Sequence, residues 1–150
     1  MNHWSDKLAL VLVTGWVGAL WAIGYLTAPT LFATLTDRQL AGMLAGRLFA
    51  LVAYVGMASG SYLLIQRLLR MGLPALRQSY FWIVLLMLLL AVAGHFGIQP
   101  VIAGLKSQAM PADVMHSMFA DRFRTWHGIA SIAYLLQSLL GLALVLKAGR

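Results

Sequence analysis

Cysteine is absent from this 150-residue sequence, and so is glutamate: the four acidic residues are Asp6, Asp37, Asp113 and Asp121. The first absence excludes disulfides, thiolate zinc sites, iron–sulfur ligation and a cysteine nucleophile. The second leaves the long apolar runs without any carboxylate, which argues against a pump driven by acidic groups at membrane depth. Charge is scarce altogether. Charged residues make up 10% of the chain, whereas a soluble domain carries about 25%. GxSxG, HExxH and the phosphate-binding loop are missing too, so no catalytic class is indicated and no enzyme is expected. Nor is there a sequence repeat of the kind from which secondary transporters are built.

What the chain has in place of charge is apolar length. Hydrophobic residues reach 61%. So small a globule could not hide that much apolar surface from water. A bilayer core of roughly 30 Å needs about 20 helical residues, and the sequence supplies four such stretches. They fall at approximately 8–32, 44–66, 79–105 and 125–146. The expectation is an all-α, membrane-embedded, antiparallel four-helix bundle in a single domain, 1–150. A soluble enzyme, a disordered chain and a nucleic-acid-binding domain are poor fits. The net charge of +7 is read as basic residues flanking spans and facing anionic lipid headgroups, not as a nucleic-acid footprint.

The punctuation between spans is short. Span one closes near Pro29. Thr36 with Gln39 three residues on has the form of a capping box opening the next helix. Arg67, Arg70, Gly72, Pro74 and Arg77 make a basic turn, and Pro100 lies near the end of span three. The apolar run from Leu8 to Phe32 exceeds a signal-peptide core, so span one is expected to remain as an anchor. Lys7, Arg67, Arg70, Arg77, Lys147 and Arg150 fall on one side of the membrane. Arg38, Arg47, Lys106, Arg122 and Arg124 fall on the other. The cluster of three arginines in one short loop predicts an inner-membrane protein with both termini cytoplasmic.

Span two carries Gly42, Gly46, Gly56 and Gly60 in two GxxxG steps. Small residues let helices approach closely where lipid supplies no hydrophobic drive between them. The stripe reads as packing within the bundle or as a homo-oligomer seam. Trp4, Trp82 and Trp126 read as interfacial anchors, Trp16 and Trp21 as packing residues.

Polar residues at membrane depth are the best pointers to function. Arg47, His95, Gln99 and His127 all fall in the outer half of the bundle, with Tyr54, Tyr134 and Gln137 behind them. His95 and Gln99 share one helix face. Such a cluster can lock the bundle, relay protons, or hold a small ligand such as a lipid phosphate or carboxylate. Two neutral imidazoles can instead ligate a redox-active metal or haem iron. The depth count favours a ladder from His95 through Gln99 to His127, with Arg47 opposite. No cofactor is required by the sequence; haem and copper are the alternatives, and the expected partners are membrane lipids.

The outer loop is the longest. Met115, Met118, Phe119, Phe123 and Trp126 form an apolar stripe, and Pro111 suits a first helical position. An interfacial helix over approximately 111–124 is therefore expected before span four. Met110, Met115, His116 and Met118 are weak candidates for soft copper ligands.

The run Gly15-Trp16-Val17-Gly18-Ala19-Leu20-Trp21, then Gly24-Tyr25 and Ala28-Pro29-Thr30-Leu31-Phe32, resembles the first span of the bacterial relatives of eukaryotic transmembrane protein 205. Ala45 to Phe49, His95 to Pro100 and His127 to Leu142 are similar to that family in the same order. The resemblance implies a four-helix integral membrane protein and no established activity. The segment from Trp16 to Trp21 is also similar to first spans of copper-resistance membrane proteins and of four-helix haem-linked oxidases. The oxidases' lysine within a span has no counterpart here.

Overall fold

The computed structural model describes residues 3–148. Arg150, one of the residues used above to orient the chain, lies outside them. Four long helices account for most of the chain: α1 (Trp4–Thr34), α2 (Arg38–Met71), α3 (Ser79–Ala109) and α4 (Ala120–Ala148). Each is long and apolar enough to cross a membrane, and no strand occurs among the described residues. Helix is the form an apolar run must take in lipid, because it satisfies its own backbone N–H and C=O groups. The outward faces bear this out. Leu51, Leu89, Ile132 and Leu139 are more than half exposed, a surface that suits acyl chains and not water.

The helices alternate in direction. Each packs against two neighbours, so that α1–α2, α2–α3, α3–α4 and α4–α1 close a ring. Residues 3 and 148, the ends of the described chain, and the 72–78 connection lie at one end; the 35–37 and 110–119 connections lie at the other. Polar clips tie the terminal end together. Arg70 pairs with Asp6. Gln66 Nε2 donates to Ser5 O and Oγ at 3.0 and 2.7 Å. Arg67 Nε donates to Gln78 Oε1 at 2.7 Å. Gly72 ends α2 with a φ of +62°, a conformation that glycine adopts without a Cβ penalty.

The core on this side is dense. Val13, Trp16, Leu20, Leu63, Val84, Met87 and Leu144 are all at most 1% exposed. Glycines receive the large side chains. An ideal Cβ at Gly56 would lie 2.5 Å from Trp16 Nε1. One at Gly60 would lie 3.3 Å from Leu88 and Trp16, and one at Gly141 would lie 3.2 Å from Val17.

Four sequence expectations need correction. The cap of α2 is Asp37, not Thr36: its carboxylate accepts from the backbone N–H groups of Gln39 and Leu40, two of the donors a helix start leaves free. Span one, expected over 8–32, runs on past Pro29 to Thr34, and span three, expected over 79–105, runs on to Ala109. Both helices widen just before the proline, into π-helical segments at Ala22–Thr27 and Gly94–Ile98. Proline lacks the backbone donor and crowds the preceding turn, and a π turn lets the helix go on.

The fourth correction concerns 111–124, which is not a separate interfacial helix. A turn through Pro111 leads into one 3-10 turn, Val114–His116, and α4 starts only at Ala120. Local side-chain bonds compete with helix here. Asp113 accepts from Met115 N. Ser117 Oγ donates to Val114 O and accepts from Phe119 N. The aromatic residues of the stripe, Phe119, Phe123 and Trp126, pack instead against a small core of Leu105, Ala109 and Val114, while Met115 and Met118 are exposed.

Candidate functional site

The half of the bundle away from the termini is hollow. A cavity of about 560 Å³ lies between all four helices, within the roughly 300–1,000 Å³ range of small-molecule sites. Every helix contributes small residues to its walls, between larger aliphatic and aromatic ones. Gly24 and Ala28 come from α1, Gly42, Ala45, Gly46 and Ala53 from α2, Ala91 and Gly94 from α3, and Ala130 and Ala133 from α4. Where both sides of a helix contact are small and the helices do not close up, space remains. An ideal Cβ at Gly46 or Gly94 would meet nothing within 4 Å.

Both π segments border this cavity, through Gly24 and Tyr25 on α1 and through Gly94 and His95 on α3. On α1 the widening coincides with an intruding side chain. Tyr134 Oη donates to Leu20 O at 2.6 Å, and its ring occupies the place a Cβ of Gly24 would need. Insertion of a side chain into a helical ladder is a recognised cause of such distortion.

Tyr134 belongs to a polar seam between α1 and α4. Tyr25 Oη donates to Ser138 Oγ at 3.0 Å, and Ser138 Oγ donates to Tyr134 O at 2.8 Å. Trp21 Nε1 donates to Ser138 O at 3.3 Å. Beside it, buried Gln137 donates through Nε2 to Met87 O on α3 at 3.2 Å. With the bond between His95 on α3 and Tyr54 on α2, these hydrogen bonds join helices at depth in this half among the described residues.

The four residues singled out in the sequence separate. His95, Gln99 and His127 line the cavity; Arg47 does not, and its side chain is exposed. His95 Nε2 is hydrogen-bonded to Tyr54 Oη at 3.1 Å, and its buried Nδ1 has no partner among the described residues. His127 stacks on Phe123, ring centroids 5.6 Å apart. No hydrogen bond links His95, Gln99 and His127 to one another among the described residues, so the cavity replaces the ladder. Of the span-two glycines, Gly42 and Gly46 line the cavity, while Gly56 and Gly60 take Trp16 and Leu88 from the same chain.

For metals, no group of three or more His, Cys, Asp or Glu residues comes together among the described residues. Met110 and Met118 on the outer loop are 66% and 90% exposed, and the His116 side chain is exposed as well. They extend outward and do not converge on a pocket.

The sequence reading missed Lys106. Placed beyond the end of span three, it is in fact half-buried at the loop end of the cavity. Its Nζ lies 5.8 Å from the centre of the Phe123 ring and 3.2 Å from where a Gly42 Cβ would be. A signal existed: His95, Gln99, Ile102 and Lys106 fall at i, i+4, i+7 and i+11, one helix face. His127, Ser131, Tyr134 and Ser138 repeat that spacing on α4.

The family model described as a domain of unknown function, DUF4149, matches residues 11–111. The match covers more than half of the chain, so the protein belongs to that family. No curated protein and no solved structure matches the chain.

Proposed function

We propose that this member of the DUF4149 family is an integral membrane protein that receives a small, mostly apolar ligand between its helices, without chemistry of its own. The observation that carries the reading is the cavity of about 560 Å³, walled by small residues and edged by a few polar ones. Its apolar lining favours a molecule already dissolved in the bilayer. His95, Gln99, His127 and Ser131 supply hydrogen-bonding groups that orient the guest. His95 Nδ1, buried and free of a protein partner, has one hydrogen bond to give or accept.

The neutral dye Nile red, added to purified full-length protein in a neutral detergent, tests this. Saturable fluorescence enhancement is expected. Gly46→Leu, which points a side chain into open cavity space, should abolish most of it. Gly15→Leu, at an exposed position on α1 with nothing within 4 Å of its Cβ, should leave it unchanged. Equal responses from the two variants would refute a cavity-bound guest.

The reading also includes the inner membrane as location, with termini and the Arg67–Arg77 turn cytoplasmic. It is supported by the concentration of arginines at that end and is tested by labelling introduced cysteines at the exposed positions 73 and 112 from each side. Kinship with the bacterial relatives of transmembrane protein 205 is retained as part of the proposal on the motifs in α1 and α3.

A further inference from the structure

The cavity has a charged end. Among its lining residues are one lysine and no aspartate or glutamate. Lys106 is half-buried there and makes no ion pair among the described residues. Its ammonium is held over the gap left by Gly42 and against the Phe123 ring. Asp113, the carboxylate whose field reaches Lys106, is engaged elsewhere: it accepts from Met115 N and lies 3.8 Å from His116. His127 and Ser131 lie on the neighbouring wall. Away from this end the lining is mainly aliphatic and aromatic, with Leu20, Phe49, Val52 and Leu90 at the mid-bundle floor.

A half-buried cation at one end of an apolar chamber is complementary to one class of molecule. We infer that the guest is an anionic amphiphile, its carboxylate or phosphate head at Lys106 and its acyl chain running down between the helices toward Leu20 and Val52. This rests on the ligand-binding reading above and gives it a chemical class. Two sources share this chemistry: a free fatty acid, and a phosphate-headed lipid of the surrounding leaflet. Lysine serves as a point charge for either. The pair would sit where water is scarce, which strengthens it relative to an exposed pair.

The test displaces Nile red from the full-length protein in neutral detergent with three competitors of one chain length: tetradecanoate, tetradecyl phosphate and tetradecanol. Both anions should compete at least about tenfold better than the alcohol, a charge-assisted contact's share of affinity. Lys106→Met should bring the anions down to the level of the alcohol, and Lys106→Arg should keep the preference. Thermal unfolding of each variant shows that the fold is intact. Whichever anion competes better names the source, carboxylate for fatty acid and phosphate for lipid headgroup. Equal competition by all three, or an anion preference that survives Lys106→Met, overturns the inference while leaving the cavity reading standing. Failure of Nile red itself to bind the unaltered protein overturns both.

Discussion

Near the termini, Trp16 reaches from α1 into the notches of Gly56 and Gly60 and is completely buried. Toward the other end, Gly46 on α2 and Gly94 on α3 face open space. Both halves use glycine, and they use it oppositely. In the first, each small residue is matched by a large one from a neighbour, and the contact closes. In the second, small residues face small residues. There the helices are joined by bonded tyrosines, a serine and a glutamine beside widened turns. Lipid offers no hydrophobic reason for helices to associate, so van der Waals contact carries the stability of such a bundle. The filled half therefore holds the fold, and the hollow half gives up contact energy for a chamber.

The largest effect expected from this contrast is at Trp16. Trp16→Ala empties the centre of the filled half and should cost about 3–5 kcal/mol, read as a large fall in the thermal midpoint of detergent-solubilised protein. A small shift would mean that the filled half is not where the stability lies.

Next in size is the exchange of glycines between halves. Gly56→Ile drives a side chain into the Trp16 indole and should destabilise by about 1–3 kcal/mol. Gly46→Leu, with nothing within 4 Å of its Cβ, should stay within about 0.5 kcal/mol of the parent. Equal losses in the same unfolding assay would erase the distinction between the halves.

Smallest is the polar seam. Tyr134→Phe removes the bond to Leu20 O and leaves the ring in place, at a cost of about 0.5–2 kcal/mol. The same substitution should raise amide hydrogen exchange in α1 around residues 22–27, because the side chain that props the π segment no longer holds it. Unchanged exchange there would show that Pro29 alone dictates the wide turn.

The order in which polar residues became legible follows from distance along the chain. Helix-face spacing places His95 with Gln99, and the same arithmetic extends to Lys106. It stops short there only because a lysine after an apolar run reads as a span end. Long side chains blur that boundary: Lys106 reaches over Gly42 on α2. Arg47 shows the opposite error. Its position along the span says nothing about which side of the helix faces the bundle. The stripe from Met115 to Trp126 misled because regular spacing continues across a turn, while Asp113 and Ser117 bind the local backbone and break the helix.

Length and hydropathy by themselves determined four spans, their alternation and the ends at which the connections lie, because a bilayer accepts an apolar run only as a helix of fixed minimum length. The short connections determined which helices are antiparallel. Everything that depends on rotation about a helix axis was decided only by the tertiary structure. Trp16 fills Gly56 and Gly60, Tyr134 enters the ladder at Leu20, Lys106 lines the cavity and Arg47 faces out. The reason is physical. All four helices are apolar nearly all round, so no amphipathic stripe specifies which face turns inward. That choice falls to the fit of large side chains against small ones on different helices, which no single helix's sequence contains.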